Sequence, residues 1–407
     1  MGTAANGNSR NAGMRTIIVC AVAQNVAMSL AFGSFGPLLA ANEAHFGVDR
    51  TEISLGMSVL TTALGLSAIV GGGTMHRFRP STVMIAGALA NLVAYLGLMV
   101  SGAFPFALAM FALVGVGTTL TAILGPVTIV ARLFPDRRGR VLSLVNLPLM
   151  MFVVPYMVAR GLPVFGREYI YAAAAVAFAV LLPLLCLLQS DGGSDKQAGP
   201  TIDDSHVIPA GEMFARLDFW LVALGIGLIA GTGTAFTVHS TAFAQSYGLD
   251  PASAAMLLSV YSGAGIAGTL VMGWLADRIG PRFALAIAGA IQAIGWALLA
   301  SGATALFLPV AAMLGVVTVP LVTLHGAAMA AMFGSASVSR AMGVSYALKL
   351  PFLFGITPLV GWAYVHFGNY RIALAGSALA LFLATLLFVL PTRSRREAAV
   401  RGPAFQG

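Results

Sequence analysis

Twelve stretches of about 20 apolar residues follow one another along this chain with little between them. That recurrence limits the possible folds more than any motif does. A segment of this length crosses a hydrocarbon layer roughly 30 Å thick as an α-helix, and in lipid only helices and closed barrels satisfy their own backbone. Apolar residues make up 58% of the 407 positions and charged ones 9%, which excludes a water-soluble globule. With Gly, Pro and charge as punctuation, the expected spans are 14–40, 51–75, 81–101, 105–132, 140–160, 168–189, 217–245, 251–275, 283–301, 304–332, 340–364 and 371–391.

The net charge of +8 is distributed as a topology signal rather than as a nucleic-acid footprint. With the N-terminus inside, 17 Lys and Arg residues fall in cytoplasmic loops and tails, among them Arg15, Arg77, Arg79, Arg132, Arg140, Lys196, Arg216, Arg278, Arg282, Arg340 and Arg396. Only Arg50, Arg160, Arg167 and Arg371 fall outside. The expectation is a multi-pass protein of a cell inner membrane with both termini cytoplasmic, its partners being the bilayer and a small solute. The first apolar run is too long for a cleaved secretory signal and lacks a small-residue cleavage site. Cys20 and Cys186 lie in apolar spans, so neither a disulfide framework nor a metal or cofactor motif is expected.

The segment His45–Pro80 aligns without a gap on Ser246–Pro281 at a constant offset of 201, with identities that include Gly47/Gly248, Asp49/Asp250, Ser58/Ser259, Gly72/Gly273 and Arg77/Arg278. A repeat of this kind implies two pseudo-symmetric six-helix bundles with the site at their interface near the bilayer midplane. The expected division is an N-terminal bundle at 1–189, a polar cytoplasmic linker at 190–213, and a C-terminal bundle with a basic tail at 214–407.

One residue stands apart within the spans. Lys349 lies in the middle of an otherwise uncharged run, nine residues from Arg340 and so about 14 Å along the helix. A lysine at such depth costs roughly 3 kcal/mol on insertion scales, and the sequence offers no carboxylate at comparable depth to pair with it. Either its stem snorkels to an interface, or it faces a wet cavity as the seat of an anion arriving from outside. The acidic residues are confined to loops and helix ends, and no nucleophile or metal constellation appears, so a membrane-embedded enzyme is disfavoured.

The turn Gly273–Arg282, GWLADRIGPR, resembles the G-x-x-x-D-R-x-G-x-R loop of the major facilitator superfamily. The resemblance covers essentially the whole chain in helix count, repeat and linker position. It implies that Asp277 pairs with Arg278 or Arg282 to hold the outward-open state, with Gly273 opening the motif. The first-half counterpart, GGTMHRFRPS, keeps Arg77 but has His76 where the aspartate belongs. Two stretches, GEMFARLDFW at Gly211–Trp220 and RLFPDRRGR at Arg132–Arg140, are similar to the monocarboxylate and oxalate/formate branch. That branch pairs a helix-eight arginine with a helix-eleven lysine to neutralise carboxylates. Lys349 matches the lysine, but helix eight carries Ser259, Tyr261 and Ser262 and no arginine, so one fixed cation implies one carboxylate.

By the same resemblance His239 and His325 occupy cavity-lining helices, where each would bind substrate, carry a proton, or simply be satisfied by a backbone carbonyl. Tyr261, Ser262, Tyr346, Gln24, Asn25, Asn146, Thr118 and Thr119 are further polar groups at membrane depth, each a candidate ligand or interhelical glue. The expected function is secondary transport of small organic monocarboxylates, with proton coupling favoured over obligatory exchange against a counter-anion; the alternative is an efflux carrier for amphipathic compounds.

Overall fold

A computed structural model of the protein describes residues 2–74, 78–134, 138–190 and 208–390, and these are helical almost throughout. Eleven helical segments are long and apolar enough to cross a membrane. One of them, Leu149–Leu188, holds two spans: the chain turns at Gly166 with φ 79° and ψ 171°, a left-handed conformation open to glycine alone at little strain. The spans are therefore α1 (Gly13–Gly33, continued by Phe35–Phe46), α2 (Arg50–Gly71), α3 (Pro80–Val100), α4 (Phe104–Val130), α5 (149–165), α6 (167–188), α7 (Leu217–Ser246), α8 (Pro251–Ile279), α9 (Pro281–Ala300), α10 (Thr304–Gly334), α11 (Arg340–Phe367) and α12 (Arg371–Val389). An even number of spans brings the start of α1 and the end of α12 to one face, the termini face; the opposite side is the far face.

Local chemistry explains where several helices begin. Asp250 caps α8, its Oδ1 accepting from the N–H groups of Ala252 (3.0 Å) and Ser253 (3.2 Å), with Pro251 at the first helical position. Hydrogen bonds from Ser253, side chain first and then backbone, hold the Asp250 carboxyl below its ordinary range. The repeat partner Asp49 builds a complete capping box with Glu52: Glu52 N–H donates to Asp49 Oδ1 (2.8 Å) and Asp49 N–H donates to Glu52 Oε2 (3.0 Å).

Packing within the C-terminal half depends on small residues, as expected where lipid offers no hydrophobic drive between helices. A methyl group added at Gly315 would lie 1.9 Å from the Tyr261 carbonyl oxygen, and one at Gly268 would lie 2.2 Å from that of Val316. The backbones of α8 and α10 thus touch, and no larger residue fits at either position.

Two departures from regular helix went unanticipated. The fifth span, expected as one run over 140–160, is broken: a short helix Arg138–Val145 ends, and α5 proper starts at Leu149 after Pro148. In addition α1 carries a π-helical turn at Ser29–Gly33 and α4 another at Thr119–Leu124, a kind of irregularity frequent at functional sites.

Arg282 reaches across to the end of α12, its Nε donating to the Phe388 carbonyl (2.7 Å) and its Nη2 to that of Leu390 (2.7 Å). A cation there complements the negative end of the helix dipole. Arg282→Ala is expected to lower the unfolding temperature by a few degrees through loss of about 1–2 kcal/mol of capping, whereas Asp277→Asn should leave it unchanged; thermal unfolding in detergent checks both.

Candidate functional site

Lys349 is 6% exposed and projects from α11 with its Nζ 3.5 Å from the centre of the Tyr346 ring, one turn earlier on the same helix. Among the described residues it makes neither an ion pair nor a hydrogen bond, so the π face of Tyr346 is what the ammonium rests on. The same ring is a neighbour of α10: the His325 and Tyr346 rings are 5.4 Å apart, and His325 Nε2 is 2.8 Å from Ser345 Oγ. His325 is 1% exposed, and its Nδ1 has no partner. A buried cation and a buried unpaired imidazole nitrogen therefore share one cluster, a combination suited to gripping an anion with a second polar contact. Snorkelling does not describe Lys349, since its head is enclosed.

His239 stands elsewhere, near the far end of α7. Its Nε2 lies 3.0 Å from the Thr357 carbonyl of α11 and 3.4 Å from Ser54 Oγ of α2, and its Nδ1 lies 3.3 Å from the Tyr370 hydroxyl. Arg50 Nη1 donates to that same hydroxyl (2.9 Å), while its Nε and Nη2 form a two-pronged pair with Glu43 (2.5 and 2.7 Å). Its guanidinium also stacks 4.5 Å over Tyr364. Sequence reasoning read Arg50 and Glu43 only as loop charges; their spacing of seven, with arginine opening a helix, was the signal available. Among the described residues the hydrogen bonds joining the two halves come from Arg50, Ser54 and Ser58 of α2, the last donating to the Phe354 carbonyl (2.6 Å). Backbones also meet there, with Gly36 against Thr237 and Gly361 against Arg50. The far face is closed in this conformation.

The remaining candidates separate by their partners. Asn25 donates to the carbonyls of Ala21 (3.0 Å) and Leu147 (2.9 Å) and accepts from the Met150 N–H (2.9 Å), so its amide spans the break in the fifth span and is fully used. Ser262 donates to Leu258 of its own helix (2.9 Å), and Thr119 to Leu64 of α2 (2.9 Å). Tyr261 packs on Phe236 with ring centres 4.9 Å apart, inside the C-terminal half. Asn146 is exposed at the α5 break. Gln24 and Thr118 keep buried oxygens without partners, on α1 and beside the π-helical turn of α4.

On the termini face the pairing implied for the loop motif is not made. Asp277 forms no ion pair among the described residues, Arg278 lies over the Trp274 ring at 4.2 Å, and Arg282 is spent on α12. The resemblance ties that pairing to an outward-open state, and in this conformation it is absent. A methyl at Gly273 would meet nothing within 4 Å, and Arg77 lies outside the described residues. A hollow lined by Asp218, Pro281, Arg282 and Met332 sits at the helix ends of this face, where Asp218 is already paired with Arg216 (2.7 Å). It gathers no unpaired buried group.

A family model described as the Major Facilitator Superfamily matches residues 22–249 and again residues 222–405, nearly the whole chain between them. A search of curated protein sequences finds no match. Among solved structures, a D-xylose–proton symporter superposes with a TM-score of 0.71 at 15% identity, over 92% of this chain and 97% of its own. A POT family transporter in complex with 5-aminolevulinic acid gives 0.73 at 12% identity, over 93% and 95%. A bacterial homologue of the human lysosomal transporter Spinster, in an inward-facing and unoccupied conformation, gives 0.72 at 12%, over 92% and 95%. At such identities the likeness is one of fold. The chain belongs to the Major Facilitator Superfamily, and as a membrane-embedded transporter of that superfamily it moves a small solute rather than catalysing a reaction.

Proposed function

We propose that this transporter carries small organic monocarboxylates, short aliphatic, hydroxy or aromatic acids, across a bacterial-type inner membrane, as a relative of the monocarboxylate and oxalate/formate branch. The observation that carries the reading is Lys349, a buried ammonium without a protein counter-ion, beside the unpaired Nδ1 of His325. One fixed cation neutralises one carboxylate, and the imidazole supplies a second contact to a hydroxyl or to the second carboxylate oxygen. In a water-poor cavity such a charge-assisted pair is far stronger than in water.

Alternating access follows from the two halves, taken as 1–189 and 214–407, rocking about the site while the linker 190–213 tethers them. The excess of Lys and Arg in the loops of the termini face supports cytoplasmic termini, which makes the far face the outside. Coupling is assigned to protons: the spans hold no buried carboxylate, so the proton travels on the substrate or on an imidazole of the site.

The test is an uptake screen in proteoliposomes with labelled lactate, glycolate, pyruvate, butyrate and benzoate. At least one should accumulate under an inward proton gradient with no anion inside. Uptake only after preloading would make the protein an obligatory exchanger, and indifference to every acid would favour the efflux carrier.

A further inference from the structure

The network around His239 admits one arrangement of protons, because several of its members can act in only one way. The Thr357 carbonyl only accepts, so His239 Nε2 carries the hydrogen that faces it at 3.0 Å. A guanidinium only donates, so the Tyr370 oxygen accepts from Arg50 at 2.9 Å and its own hydrogen is left for His239 Nδ1, 3.3 Å away. Ser54 gives its hydrogen to the Arg50 carbonyl (2.6 Å), so at 3.4 Å from Nε2 its oxygen faces the imidazole as an acceptor. With the tyrosine hydrogen so placed Nδ1 presents a lone pair, and the imidazole that satisfies every one of these groups is neutral.

These links join the halves. Glu43, Arg50 and Ser54 belong to the first, and His239, Thr357 and Tyr370 to the second. A proton on Nδ1 would point a donor at the Tyr370 hydroxyl, which already accepts from Arg50, and would place a second cation next to the guanidinium. The titratable group in contact with the imidazole is the Tyr370 hydroxyl; behind it stand Arg50, its partner Glu43, and Tyr364 under the guanidinium. Asp49 and Glu52 are exposed and occupied with capping α2. No carboxylate is left to receive the added charge.

We infer that His239 is the proton-sensitive latch of the outer gate: the far face closes only on a neutral imidazole, and a proton there holds the two halves apart. A proton picked up by His239 from outside consequently cannot ride inward on it; it returns outward or passes to the substrate before closure. The assignment rests on the orientation proposed above only in calling the gate outer.

Distances across the gate test this without any substrate. In a Cys20→Ala/Cys186→Ala background, nitroxides at positions 44 and 246, exposed residues of the α1–α2 hairpin and the end of α7, report separation of the halves by pulsed electron resonance. The protein is held in nanodiscs, where both faces see one pH. The short distance should dominate at pH 8, and a longer one should rise at least threefold in population at pH 5. In His239→Gln the short distance should persist at both, since the amide can donate to Thr357 and accept from Tyr370 yet takes up no proton. In Tyr370→Phe the long distance should already be enriched at pH 8, and this variant serves alone if the glutamine variant does not fold. A wild-type distance indifferent to pH, or the wild-type response preserved in either variant, overturns the inference. Failure of every acid in the uptake screen would not touch it.

Discussion

Lys349→Met is expected to abolish uptake of the transported acid, by at least a hundredfold, while raising the unfolding temperature of the empty protein. Both effects come from the same charge. An ammonium enclosed at 6% exposure loses most of its hydration, and the Tyr346 ring returns only about 1–2 kcal/mol of that as a cation–π contact. Methionine fills a similar volume without the penalty, and replacing buried ions by apolar side chains commonly stabilises by about 1–4 kcal/mol. The substrate carboxylate, by contrast, would enter the cavity with nothing to neutralise it, and stranding a buried charge costs about 3–5 kcal/mol, roughly two to nearly four orders of magnitude in binding. Proteoliposome flux and thermal unfolding of one preparation give both numbers. A variant that transports normally removes Lys349 from the site; one that loses both flux and stability makes the lysine structural.

Asn25→Ala should act in the opposite sense, with a large loss of stability and no change in which acid is chosen. Three hydrogen bonds disappear, two of them to Leu147 and Met150 on either side of Pro148. Proline removes an N–H and interrupts the ladder, so backbone groups at the break need another partner, and the asparagine amide supplies a donor and an acceptor at once. Each group left buried and unpaired costs about 1–3 kcal/mol, giving a total of several. Asn25→Asp keeps the acceptor for Met150 but turns an oxygen toward the Leu147 carbonyl, and should be nearly as damaging. Thermal unfolding and the uptake screen read the two consequences separately. Wild-type stability with altered selectivity would instead make Asn25 a ligand.

The helices and their connections were legible in the sequence because lipid imposes one rule on every span, and a run such as Pro281–Ala300 meets it by composition alone. The solitude of Lys349 was legible too, since an absent carboxylate can be seen without a structure, and Tyr346 three residues earlier falls on the same helical face. What the residues did not disclose depends on contacts between distant segments. Arg50 meets Tyr370 across 320 positions, so Arg50 read as an ordinary loop charge, and for His239 a backbone carbonyl was among the expected partners while its identity, Thr357, 118 positions on, was not legible. For Asn25 the two readings, ligand or interhelical glue, stayed open in the sequence for a related reason: its partners belong to a break before Leu149 that lies more than a hundred positions away.

The π-helical turn at Ser29–Gly33 makes α1 two helices out of phase. In an unbroken α-helix, residues 11 apart fall about three full turns from one another, so Asn25 and Gly36 would share a stripe. The wider turn absorbs one residue and offsets everything beyond it by roughly 100°. Asn25 accordingly addresses the first half, at the break before α5, while Gly36 lies against Thr237 of α7 in the second. Past the offset this helix therefore faces two ways: Asn42 bonds to Tyr171 of α6 in its own bundle, while Gly36 meets α7 of the other half across the closed far face. Deleting a single residue from this turn would leave the span long enough for the bilayer yet rotate Gly36 away from Thr237 and Asn42 away from Tyr171, disturbing the far-face contact and the packing of α1 on its own bundle together.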